Sequence, residues 1–427
     1  MFLTEDFLYF VWKNALFETR DLLDDNGERI KILFPGYRND GPGPDFTEAK
    51  IKIGEQLWVG NVEIHLKSSD WYAHHHETDK NYDSVILHVV YQHDMPVFNT
   101  HGVRIPALEL KDKIFSQVSD KYLALQSSEH ALKCSPFLPD SDLRWTKWKE
   151  RLFIERLESK VRDIHRLLDE NINDWEQVLF MMLLRYFGML HNTDSFLQIA
   201  KNVDFKVFRK YLERPHFLEA LLMGVAGMLD EVEIQDDYVR ELVSTYHFLR
   251  HKHQLKNIDI PITHGRMRPA NFPAVRLSQF AMLYHRHAQL FEKLMHAEEL
   301  SELQNLLRVS VSSYWESHYF PGKESKRRKK ILGKSFINSL IINVILPFRF
   351  AYAKYLADER SLEKSIQPAS ELPAENNRIV RLFIASGLAV RHAGESQAVV
   401  QLYKNYCTQN NCINCAIGKN ILSRANN

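Results

Sequence analysis

Two hydrophobic rhythms divide the chain. In its early part, apolar residues recur at every second position in short runs, the spacing of half-buried strands. Beyond about residue 140 they recur at three and four, the spacing of amphipathic helices. Thr4 is placed to cap a first helix carrying Phe7, Phe10, Val11 and Trp12 on one stripe. Arg29 to Phe34 reads as a strand, and Pro35 to Pro44 holds three Pro and three Gly, a rigid bend. Thr47 to Ile53 alternates, Gly54-Glu55-Gln56 turns, and a return strand begins at Leu57, which together predict a hairpin. On that return strand Val62, Ile64 and Leu66 share one face and Glu63, His65 and Lys67 the other. Ser84 to Tyr91 is nearly all apolar, as in a central strand covered on both faces. Val103 to Leu110 is a further strand, set at an edge by Pro106.

The expected fold class is α+β. An α/β module occupies residues 1–115, a linker 116–140, and a larger all-helical region 141–427 with a cysteine-bearing end. No fixed-period repeat stands out among the helical segments. The run Leu340 to Leu346 is cut by Asn343 and closed by Pro347 and Arg349, too short for the ~20 apolar residues that span a bilayer.

Composition changes this picture little. The 427 residues are 45% hydrophobic and 26% charged, as in ordinary globular proteins. A formal net charge of +1 provides no global field for nucleic acid, so any such contact must come from local patches. The start, Met1-Phe2-Leu3-Thr4-Glu5-Asp6, lacks the basic and apolar segments of a signal peptide, so a soluble cytoplasmic protein without a membrane partner is expected.

The chemistry concentrates around the hairpin. Asp45 precedes one strand, and Glu63, His65 and Lys67 share the polar face of the next. Two carboxylates so placed suit Mg²⁺ or Mn²⁺, which polarises a phosphate and lowers the pKa of a bound water. His74 and His76, in the run His74-His75-His76, are further candidate metal ligands or phosphate contacts; a solvated loop is the plainer alternative. His88 is either a satisfied core histidine or a side chain reaching the site. Glu5 is read as an exposed helix-start residue before an accessory acid.

The combination resembles the PD-(D/E)XK nuclease superfamily, in which Pro-Asp precedes one strand and Glu-X-Lys lies on the next. Pro44-Asp45 and Glu63 match, whereas His65 stands where that family has lysine and Lys67 follows two residues on. The resemblance implies a nuclease-like core with Asp45 and Glu63 as metal ligands and His65 or Lys67 aiding the nucleophile. A second likeness covers nearly the whole chain. Gly43-Pro44-Asp45-Phe46, Gly60-Asn61-Val62-Glu63-Ile64-His65, Asp70-Trp71, Leu87-His88-Val89-Val90 and Arg268-Pro269-Ala270-Asn271-Phe272-Pro273 are similar to a family of uncharacterised bacterial proteins, which brings no activity with it.

Four cysteines remain: Cys134, Cys407, Cys412 and Cys415. The last three are spaced Cys-x4-Cys-x2-Cys, and with Cys134 they would complete a four-thiolate site for a [4Fe-4S] cluster or Zn²⁺; the alternative is unligated thiols. The arrangement is similar in kind to that of iron–sulphur nucleases. Two basic stretches, Arg266, Arg268 and Arg276, then Lys326, Arg327 and Arg328, are candidate contacts to a nucleic-acid backbone. For the first, a buried arginine network is the alternative, and for the second a solvated segment. The leading expectation is thus a metal-dependent nuclease acting on DNA or RNA. The alternatives are a nucleic-acid-binding or scaffold protein that keeps the fold without cleaving, and a small-molecule hydrolase.

Overall fold

The structure, a computed structural model, describes residues 3–39, 41–137, 143–230, 236–265 and 267–423. The chain divides into two compact units. One comprises Met1–Trp148, Arg381–Ala389 and Val400–Asn427; the other comprises Lys149–Val380 and Val390–Val399.

The first unit is built on a mixed sheet. Its strands are β1 (Leu22–Leu23), β2 (Arg29–Phe34), β3 (Tyr37–Arg38), β4 (Phe46–Ile53), β5 (Gln56–Lys67), β6 (Val85–Gln92), β7 (Val97–Phe98), β8 (Arg104–Ile105) and β9 (Ala107–Glu109). The main sheet runs β1-β2-β4-β5-β6-β9, with β3 paired to β4. The hairpin forms as its alternation demands, with Ile53 opposite Gln56 across Gly54 in a left-handed conformation (φ 56°). β6 lies between parallel neighbours β5 and β9, which explains its apolar run. Pro106 splits the last predicted strand in two: Arg104–Ile105 pairs with β7, and Ala107–Glu109 forms the sheet edge.

Helix α1 (Glu5–Lys13) is capped by Thr4, whose hydroxyl accepts from Phe7 N–H at 3.3 Å. It packs Phe7, Leu8 and Val11 into one core with Val62, Ile64, Leu87 and Val89, covering the apolar face of β5 and β6. That core also takes Val118, Tyr122 and Leu125 of α3 (Ser116–Ser127), so the first half of the segment read as linker is a packed helix. Ile413, Ile421 and Leu422 join the same core, and the helix Ala416–Ser423 lies on α3. The sequence groups the tail with the helical region; burial of these side chains assigns it to the first unit.

The second unit is helical, with a core supplied by Trp175–Phe187, Pro215–Val225, Pro273–Arg286 and Lys334–Tyr355 among other helices. Pro347 and Arg349 do not end the last of these. A π-helical turn over Ile341–Ile345, in which Leu346 N–H reaches back to Ile341 C=O, carries the helix past the proline. By length and composition Lys334–Tyr355 could cross a membrane, but 72% of its most apolar stretch is buried, so its hydrophobic surface is used within the core.

Candidate metal centre

The polar face of β5 is not open to solvent. A short helix α2 (Asp70–Ala73) and two 3-10 turns, His76–Thr78 and Lys80–Tyr82, fold over it, held by the fully buried Trp71. Its indole N–H donates to Phe98 C=O at 3.1 Å, and its ring meets His76 edge-on and His88 at a tilt. His76 stacks on Tyr82 with centroids 3.7 Å apart. Between His74 and His76 the chain turns through His75 in a left-handed conformation (φ 61°), a strained choice for a residue with a Cβ.

Under this cover the candidate residues converge. Glu63 is 5% exposed and His65 2%. Glu63 Oε1 lies 3.4 Å from His76 Nε2 and 3.6 Å from His65 Nε2. His65 Nε2 is also 3.1 Å from His74 Nδ1, while its Nδ1 is 2.9 Å from His88 Nε2. His76 Nε2 is buried, and its neighbour, the Glu63 carboxylate, stands at a distance and angle poor for a hydrogen bond. Among the described residues, His65, His74 and His76 form the one group of three whose ligand atoms all lie within 4.8 Å of one another. Burial, with the neighbouring His88, His74 and His76, pushes the His65 pKa down to about 2, and burial and His76 hold His88 at about 3. Both imidazoles are therefore neutral and retain a lone pair.

Asp45 is linked to this group through the backbone: its N–H donates to Glu63 Oε2 at 2.9 Å. Its own carboxylate is already engaged, Oδ1 by Arg38 at 2.7 Å and Oδ2 by Ile64 N–H at 3.0 Å. Arg38 arrives from β3, inside the Pro-Gly bend, and its guanidinium covers the Tyr9 ring at 4.0 Å. Bulges flank the site on both sides of β5, between Phe46 and Ala49 on β4, where Glu48 is left-handed (φ 58°), and at Ile86 on β6, opposite Asn61 and Val62. Burial raises the pKa of both Asp45 and Glu63. Glu5 on α1 belongs here too. Burial, Asp45, Asp70 and Glu63 raise its pKa to about 7, a property the helix-start reading hid.

A model of the family described as "Protein of unknown function (DUF2851)" matches residues 5–378. The chain belongs to that family. Neither a curated protein nor a solved structure matches it. The matched region of this DUF2851 member contains every residue of the centre, and Cys134, but not the three tail cysteines.

The other sequence candidates fare differently. Lys67 is exposed at the end of β5 and takes no part in these contacts; its backbone N–H donates to Asp70 Oδ2. His74 and His76 do fold back over Glu63, and His88 supports His65 rather than merely filling the core. Tyr9 and Arg38 escape sequence reading, since nothing in their local pattern marks them, and Trp71 enters it only as a landmark of the family likeness. Arg266 lies outside the described residues. Arg268 is exposed but Arg276 is buried, held by Asn271 at 2.7 Å and Gln279 at 3.1 Å. Lys326, Arg327 and Arg328 are exposed in an irregular segment, with Arg327 paired to Glu316 at 2.9 Å.

The cysteines lie together in the first unit. Burial and the nearby Cys415 and Cys412 raise the Cys134 pKa to about 12, and Cys407 feels all three others. Cys415 is 7% exposed and receives the Ile417 and Gly418 N–H groups of the final helix, with Trp148 beside it. Gly418 is required there: a Cβ would stand 2.0 Å from Cys412 O.

Proposed function

We propose that this protein is a metal-dependent hydrolase of phosphodiester bonds in nucleic acid, on a core of the PD-(D/E)XK nuclease kind. The observation supporting this most is the convergence of Glu63 with His65, His74 and His76, one strand away from Asp45. Imidazole-rich ligation favours Mn²⁺ or another transition ion over Mg²⁺, which prefers oxygen and water. Bound there, the ion would supply a Lewis acid and an acidified water. His88 would fix the His65 ring by accepting from its Nδ1–H, leaving Nε2 for the metal. Arg38, on the Asp45 carboxylate, offers charge to a phosphate, and Glu5 offers a proton-transfer group poised near neutrality.

The test is cleavage of plasmid and single-stranded substrates with Mn²⁺, by wild type and by Asp45→Ala, Glu63→Ala and His76→Ala. Loss of activity in all three folded variants is expected. A protein that binds Mn²⁺ and nucleic acid but cuts neither substrate is the non-catalytic binding protein, and unimpaired variants would remove the assignment.

We further propose that Cys134, Cys407, Cys412 and Cys415 hold a structural metal group. Their sulfurs are not drawn into a group as tight as the histidines. Thiolates suit both Zn²⁺ and a [4Fe-4S] cluster, and elemental analysis of the purified protein separates the two.

A further inference from the structure

The helical unit contains a cavity of about 860 Å³, within the size range of small-molecule sites. Its polar lining is one-sided: Arg156, Lys160, Arg185, Arg268 and Arg276 face a single carboxylate, Asp163. Met182, Leu167 and Phe336 give the same cavity an apolar wall.

Arg276 is the anomaly. It is 5% exposed, yet its guanidinium meets only Asn271, Gln279 and the Met189 sulfur, with no carboxylate among the described residues, and its Nε has no hydrogen-bond partner. It stacks over Phe336 at 4.0 Å. A buried cation left without a counter-charge is costly, and burial alone brings its pKa down to about 10. Arg185, half-buried, and Arg268 likewise form no ion pair among the described residues. In the same lining, the π-helical turn supplies Asn343, where Lys160 Nζ donates to its Oδ1 at 2.8 Å and its amide reaches Glu375 at 3.2 Å. Widened turns of this kind cost backbone geometry and cluster at functional sites.

We propose that this cavity binds a small molecule carrying a phosphate monoester on an apolar or aromatic body, with Arg276, Arg268 and Arg185 on the phosphate and Phe336 against the body. Three unneutralised guanidinium groups match a dianion better than a single carboxylate. A half-open cavity of this size can take a mononucleotide-sized ligand.

The probes are adenosine monophosphate, inorganic phosphate, adenosine and acetate, titrated at constant ionic strength into the full-length protein by calorimetry and thermal melting. Adenosine monophosphate should bind at one site and raise the melting temperature, inorganic phosphate should do so more weakly, and adenosine and acetate should do neither. Arg276→Gln should weaken adenosine monophosphate binding at least tenfold. Arg185→Gln and Arg268→Gln, on more accessible residues, should each weaken it several-fold, and they carry the test if Arg276→Gln does not fold. Equal responses to adenosine and its monophosphate, or wild-type binding in both Arg185→Gln and Arg268→Gln, would overturn the proposal. So would displacement of the probe by a short oligonucleotide at equal phosphate concentration, which would make the cavity part of a nucleic-acid path. The inference does not rest on the nuclease reading: Glu63→Ala should leave the phosphate response intact whatever it does to cleavage.

Discussion

His65 carries the sharpest consequence at the scale of single residues. Read from sequence it stands where the resembled nucleases have lysine, so restoring lysine should retain or raise activity. The structure argues the reverse. His65 is 2% exposed and shares its two nitrogens between His74 and His88, so an ammonium there would sit against Glu63 in the space a metal would take. His65→Lys is therefore expected to weaken Mn²⁺ binding by at least about 100-fold, measured by calorimetry, because a ligand and not an outer partner is lost; wild-type affinity would remove His65 from the ligand set. Glu5 gives a pH signature. Its folded pKa is raised from 4.5 to about 7, so between those values the native state holds a proton that the unfolded state has released. Its contribution to stability is then fully present below 4.5 and lost as pH rises through about 7. In chelator-treated protein, the melting temperature of Glu5→Gln should gain on wild type progressively across that window, and a constant difference would show that Glu5 titrates normally.

Among the elements, the β4–β5 hairpin and the central β6 were legible because one-sided or two-sided burial writes itself into a period of two or an unbroken apolar run. The covering segment from Asp70 to Tyr82 was not. It has no period, and it is organised by one tryptophan and by the stacking of His76 on Tyr82, neither of which a local pattern encodes. The metal candidates were legible by residue type, whereas Arg38, Tyr9 and the engaged state of Asp45 depend on a two-residue strand inside a proline-rich bend. The final helix was legible only as a cysteine spacing. Its docking rests on Gly418, where any Cβ would strike Cys412 O. Gly418→Ala should force the Cys412–Cys415 turn away from the helix, costing ~1–3 kcal/mol and lowering metal content with it. Denaturant unfolding and elemental analysis of the same preparation check both, and an unaffected variant would show that the turn is not held as described.

At the scale of the whole molecule, the cysteines tie together segments from far apart in the chain. Because an unfolded chain offers no preformed thiolate site, a metal held there as proposed would add to the folding free energy. Cys415→Ser should lose metal and thermal stability together. Anaerobically purified wild type should be brown if it holds a cluster and colourless with one zinc per chain if it does not; metal-free protein with four freely reactive thiols would exclude both. The same topology bears on synthesis. The sheet, α1 and α3 precede the helical unit along the chain, whereas Ile413, Ile421 and Leu422, which join their core, follow it. A nascent chain must therefore carry the incomplete first unit, with its α3 face uncovered, throughout translation of the helical unit. Those core positions are filled only once the segment bearing them has been made, so a chain stopped within the helical unit should release a first unit that melts below the full-length protein.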